Sequence, residues 1–187
     1  MKLLLYCTKS KPYLIGSKDA PYKYYLDKGG KDSVMDARDF IHNGKIIAEC
    51  DFEVEEIKRE IMTGIYECSW IKPSKYDWYF DKDLLDKSCL SKDMLCDYLD
   101  GNTGYAIHIK NLNIFDKPRK LNFYHNAPIL MCLLENAPQN MMYVYDYKGG
   151  TRFEKKVLIS IRPEWLCKIL NGEKTIEIRK KVLKEMI

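Results

Sequence analysis

The sequence predicts a mixed α+β fold, and three observations predict it. Short β-prone runs recur from one end of the chain to the other, the clearest between Gly44 and Ile57. Two segments, 91–99 and 163–170, place apolar residues at helical spacing instead. A length of 187 residues, 46% hydrophobic and 31% charged, suits one globular domain, 1–187, with a sizeable core.

In chain order, Leu3 to Cys7 is an apolar run that reads as a buried strand. Thr8 to Gly44 is polar, with Lys28-Gly-Gly-Lys-Asp32 as a turn and Tyr22 to Leu26 as a β-prone aromatic run. From Gly44 to Ile57, the series Ile46, Ala48, Cys50, Phe52 and Val54 alternates with Ile47, Glu49, Asp51 and Glu53, which describes a strand with one buried and one acidic face. Residues 58–88 hold an aromatic cluster, Trp70, Tyr76, Trp78, Tyr79 and Phe80, broken by Pro73. Ser91 caps a predicted helix carrying Met94, Leu95, Tyr98 and Leu99 and ending near Gly101. Tyr105–Ile109 and Asn111–Phe115 read as strands, Pro118 marks an edge or turn, and Leu121–Pro128 reads as a polar loop. Met141–Tyr145 is a further β run, and 146–155, with Gly149 and Gly150, reads as a flexible linker.

No apolar run approaches the ~20 residues that cross a membrane, and the opening Met1-Lys-Leu-Leu-Leu-Tyr6 is too short for a signal peptide. The seven cysteines are an odd number without C-x-x-C spacing, which fits small hydrophobes in a reducing cytoplasm and predicts neither a disulfide frame nor a metal site. The formal net charge is +4, but residues 148–187 hold eleven Lys or Arg against five Asp or Glu, leaving −2 for residues 1–147. A basic end of this kind points to a polyanionic partner, or else to a solvated tail.

That basic end is also the best-patterned stretch. Val157 to Ile161 reads as a strand, and Pro163 suits the first helical position because it lacks an N–H that would go unpaired there. Trp165, Leu166, Ile169 and Leu170 mark one helix face, and Gly172 suits a left-handed helix end. Thr175, Glu177 and Arg179 then alternate with Ile176 and Ile178, with Lys174 at the turn before them.

The run Gly172-Glu-Lys-Thr-Ile-Glu-Ile-Arg179, preceded by Ser160-Ile-Arg-Pro-Glu-Trp165 and a short helix, resembles the opening motif of the ASCH domain family, a branch of the PUA-like β-barrels. The resemblance implies a small mixed β-barrel flanked by short helices. Weaker matches to later parts of that fold fall on Leu3–Thr8, Gly44–Ile57, Ser91–Leu99, Gly104–Ile109 and Lys117–Leu121. The family's opening unit thus stands last here, an order that implies a circular permutation in which 156–187 completes the barrel that 1–145 begins. Residues 9–43 and 58–88 have no counterpart. The short tail cannot bury a core alone, so a truncated tandem copy and a strand-exchanged dimer are the alternatives to a monomer closed on itself.

The resemblance implies a ligand cleft lined by Lys174, Thr175, Glu177 and Arg179, with Tyr6 and Trp165 as stacking partners. Arg179 offers a planar fork for phosphate or a base edge, Lys174 a point charge, and Glu177 an acceptor that orients Arg179. The bland alternative is an ion-pair ladder on an exposed strand. The expected activity is binding of RNA or a nucleotide, without a cofactor. One alternative is an RNA-directed hydrolase, a ribonuclease or an enzyme like the modified-cytidine amidohydrolases, with Lys174 and Glu177 as catalytic residues. Glu177 stands where those amidohydrolases have a threonine nucleophile, which argues against the amidohydrolase reaction. Another alternative is a phage-type protein that blocks a host protein. His42, His108 and His125 lack a Cys or Ser partner at a telling spacing and read as structural or exposed. Glu49, Asp51, Glu53, Glu55 and Glu56 read as the wet face of a strand before they read as a metal site.

Overall fold

Strands dominate the computed structural model, which describes residues 1–8, 44–57, 60–61, 78–126, 133–148 and 152–187. Nine strands are described: β1 (Lys2–Cys7), β2 (Lys45–Glu56), β3 (Glu60–Ile61), β4 (Trp78–Tyr79), β5 (Tyr105–Lys120), β6 (Tyr124–His125), β7 (Met141–Lys148), β8 (Arg152–Ile161) and β9 (Ile176–Arg179). Three α-helices accompany them: α1 (Lys82–Ser88), α2 (Lys92–Leu99) and α3 (Pro163–Leu170). Seven strands form a mixed sheet in the order β6-β7-β8-β1-β2-β5-β9, and β3 pairs with β4. The chain is therefore α+β with a large open sheet: among the described residues no pairing joins β6 to β9, and barrel closure is not seen. No helix among the described residues is long and apolar enough to cross a membrane. The expected turn at Lys28–Asp32, the run Tyr22–Leu26, His42 and Pro73 lie outside the described residues.

Packing groups the chain into two compact units, residues 1–52 with 109–173, and residues 53–108 with 174–187. In the second unit the sequence signals for α2 hold. The Ser91 side chain accepts from the Met94 N–H at 3.2 Å, and the helix stops where Asp100 takes a left-handed conformation at φ 48°. Helix α1 goes unmarked by the apolar pattern because it lies at the foot of the aromatic stretch. Its signal is Asp81, whose carboxylate accepts from the Asp83 N–H at 2.7 Å, with Asp83 and Lys87 paired one turn apart at 2.7 Å. Leu84 of α1 and Leu95, Cys96 and Leu99 of α2 pack with Ile57, Phe80, Ala106, Ile176 and Ile178 into one core. Gly104 makes the close approach possible: a Cβ there would stand 2.6 Å from a Leu99 methyl, while the Gly104 carbonyl accepts from the Ile57 N–H at 2.8 Å.

In the first unit β1 is flanked on both sides. It pairs antiparallel with β2 and parallel with β8, Lys2 opposite Lys156 through Cys7 opposite Ile161. The head of the chain and the start of its patterned tail thus meet as expected. The strand expected at Thr175–Arg179, however, pairs antiparallel with β5, Tyr105 opposite Arg179 to His108 opposite Ile176, and not with β1. The expected linker at 146–155 is likewise corrected. It forms the end of β7 and the start of β8, which pair in unbroken register from Met141 opposite Ile159 to Lys148 opposite Arg152. The two glycines read as flexibility lie in the short connection between two paired strands. The two strands expected at 105–115 are one, β5, which passes through Asn111 at φ 48° and contains Pro118. Helix α3 begins with Pro163 after Arg162 and packs on β1, and Gly172 follows it at φ 76°.

Leu4, Tyr6, Ile46, Phe115, Tyr124, Leu134, Val144 and Leu158 form the first unit's core. Beside Leu158 the strand carries Lys156, a buried cation whose ammonium lies 2.9 Å from Glu49, 3.2 Å from Asp146 and 3.8 Å from Glu154. Breaking such a pair leaves a buried charge uncompensated, which makes each partner matter more than a surface ion pair does. Cys7, Cys50 and Cys167 are free thiols pushed up to about 12 by burial, which suits their reading as small hydrophobes.

Burial by itself raises the Glu49 carboxyl, but the hydrogen bond and charge of Lys156 outweigh it and hold the group below its ordinary value. For Lys156 burial works downward, and Glu49 and then Asp146 more than reverse it. A carboxylate held low adds stability above its unfolded pKa, about 4.3, and loses it as pH falls through the folded value. Lys156 loses its share only at the alkaline end, above about pH 10.4. Thermal unfolding should therefore show a drop in stability between about pH 5 and pH 3 that is shallower in Glu49→Gln. Equal slopes for the two proteins would rule Glu49 out as an acid-sensitive contact.

Candidate functional site

The motif residues Lys174, Thr175, Glu177 and Arg179 all fall in the second unit. Helix α1 ends with carbonyls that have no partner within the helix. The segment before β9 supplies two: Thr175 N–H donates to the Lys87 carbonyl at 2.9 Å, and the Lys174 ammonium donates to the Ser88 carbonyl at 2.7 Å. A cation at this end also meets the negative pole of the helix. Beyond the turn, Ile176 and Ile178 enter the core, so Glu177 and Arg179 take the opposite face. There Glu177 accepts from both neighbours, Oε2 at 3.4 Å from Lys174 and Oε1 at 2.9 Å from Arg179 Nη2.

The sequence pattern read these groups as the wall of a cleft. The structure brings Lys174, Glu177 and Arg179 into one hydrogen-bonded chain and seats its inner members inside the unit. Side-chain exposure rises from 2% at Lys174 through 10% at Glu177 to 14% at Arg179. Thr175 is partly exposed and precedes the strand, which starts at Ile176. Burial lowers the Lys174 ammonium below its ordinary value, and the Glu177 charge offsets only part of that. Arg179 is the outermost of the three. Exposed Lys180 and Lys181 follow it, and the Lys180 ammonium lies 5.4 Å from the ring centre of the exposed Tyr98.

His108 of the same unit bonds Glu55 through Nε2 at 2.9 Å, beside a cleft of about 420 Å³ that Asp81, Asp83 and Ile176 also line. Among the described members of the acidic row on β2, Glu49 pairs with Lys156, Asp51 with Lys2 at 2.8 Å, and Glu55 with His108.

Tyr6 and Trp165 belong to the first unit. Tyr6 is buried in its core and lines a cleft of about 790 Å³. Trp165 is partly exposed on α3 under Lys168, whose ammonium lies 5.5 Å from the ring centre. Sequence reasoning missed the Lys156 cluster. The available signal was a lysine opening the apolar strand Val157–Ile161, opposite an acid row on another strand. It also missed Lys45 and Lys120, which line the same cleft as Tyr6 and stand alone in sequence.

Compared with protein-family models, with curated proteins and with solved structures, the chain finds no match in any of the three.

Removing one member of a buried ion pair costs about 3–5 kcal/mol, mostly from the charge left behind. Lys174→Met should therefore destabilise the protein by an amount in that range in urea unfolding, and adding Glu177→Leu should recover part of the loss. A single variant as stable as the parent would show that the Ser88–Lys174–Glu177 bridge contributes nothing.

Proposed function

We propose that this chain binds RNA or a nucleotide through the outer end of the Lys174–Glu177–Arg179 chain, as an ASCH-like protein whose barrel order is permuted. The observation that carries the reading is the anchoring of Arg179: Glu177 holds one edge of its guanidinium at 2.9 Å and is itself held by Lys174. A guanidinium fixed on one side presents its remaining donors in a set direction, which is what recognition of a phosphate or a base edge requires. Lys180, Lys181 and Lys184 add exposed positive charge, and Tyr98 adds an exposed ring next to Lys180. In this reading Glu177 and Lys174 are positioning residues and Arg179 touches the ligand.

Fluorescence anisotropy with a labelled single-stranded RNA tests it. Affinity should fall steeply as salt rises, and Arg179→Ala should weaken binding about tenfold at low salt and flatten the salt dependence by about one unit of slope. Arg179→Lys, which keeps the charge and loses the fork, should recover only part of the affinity. Equal binding by the parent and Arg179→Ala at low salt would exclude the proposal.

A further inference from the structure

The cleft in the first unit is a different matter from Arg179, and several of its features have no structural use. Its volume, about 790 Å³, falls in the ordinary range for small-molecule sites. Tyr6 of β1, Lys45 at the start of β2, Lys120 at the end of β5, Asn122, Leu134 and Glu135 are among its lining residues. Tyr6 is 4% exposed, and among the described residues its hydroxyl makes no hydrogen bond. A buried phenol normally finds a partner, because leaving one unpaired costs free energy. Other buried polar groups of the unit comply: Tyr124 accepts from Arg119 at 3.1 Å, and Ser160, opposite Tyr6 on β8, donates to the Pro138 carbonyl at 2.6 Å. Tyr6 alone of these is left with its donor unused on the wall of a cavity. Likewise, among the described residues neither Lys45 nor Lys120 makes an ion pair, and neither does Glu135.

We propose that this cleft is a binding site for a nucleoside monophosphate. Two unneutralised lysines give the cleft one more positive charge than Glu135 removes, which fits a phosphate. Glu135 offers an acceptor for an exocyclic amine of a base, and Tyr6 offers a hydroxyl donor with an aromatic body. Leu134 and Leu121 supply apolar surface for a planar ring. Burial raises the Tyr6 phenol above its ordinary value, so it keeps its proton and remains a donor at neutral pH. The site stands whether or not Arg179 binds RNA.

Isothermal titration calorimetry of the full chain with the four ribonucleoside 5′-monophosphates is the direct test. At least one should bind, and the matching nucleoside without phosphate should bind at least about tenfold more weakly. The double variant Lys45→Ala/Lys120→Ala should lose about tenfold or more, and Tyr6→Phe several-fold, with circular dichroism unchanged. Arg179→Ala should bind the monophosphate as the parent does. Should Tyr6→Phe fail to fold, the lysine pair, at the ends of two strands, still reads the site. No binding by any monophosphate, or equal binding by the parent and the double-lysine variant, overturns the proposal. Binding lost in Arg179→Ala and kept in the lysine variant overturns it too, and leaves the Arg179 reading intact. A ten-nucleotide RNA added as competitor then names the source. Displacement marks a strand's end nucleotide as the occupant, and no displacement marks the free nucleotide; either result keeps the site.

Discussion

The first unit depends on the parallel register between β1 and β8. Leu3, Leu4, Leu5 and Cys7 are wholly buried, and so are Val157, Leu158 and Ile159 on the strand beside them. Parallel pairing places long apolar runs on both strands, because both faces are covered. From this register follow the other positions in the unit. Lys156 meets Glu49 and Asp146 at one end of the pair, and Tyr6 stands opposite Ser160 beside the cleft at the other.

Two lysines, one in each unit, are buried by different means. Lys156 is surrounded by three carboxylates, whose attraction outweighs the cost of burial. Lys174 has one carboxylate and one backbone carbonyl, and burial prevails over them. The first arrangement is a charge cluster of the kind that fixes strand register. The second ties the last carbonyls of α1 to the turn before β9. It also leaves Glu177 with one oxygen toward Lys174 and the other toward Arg179, so the same carboxylate is a structural brace and the support of an outward-facing guanidinium.

What the sequence made legible were features governed by local rules. Ser91 at its cap, Pro163 at the first turn of α3, Gly172 with positive φ, and the alternation of Ile176 and Ile178 against Glu177 and Arg179 each follow from a few neighbouring residues. Partner choice was not legible in the same way. Nothing near Thr175–Arg179 says that its neighbour is β5, and nothing near Asp146 says that the segment continues as strand, because both depend on residues far along the chain. Gly149-Gly150 is a fair sign of a turn and a poor guide to its length. Burial of Lys174 was hidden for a similar reason: a lysine at a turn is ordinarily solvated, and only the unmarked helix α1 supplies the carbonyl that draws it inward.

The meeting of β1 with β8 has a consequence for biogenesis. Lys2 must wait for Lys156 to be made, which at about 5–20 residues per second takes on the order of ten to thirty seconds. During translation β2 can shield one edge of the nascent β1, while the other edge stays open and strongly apolar. That interval is when a chaperone, or a second nascent chain from the same message, would most readily occupy the vacant side.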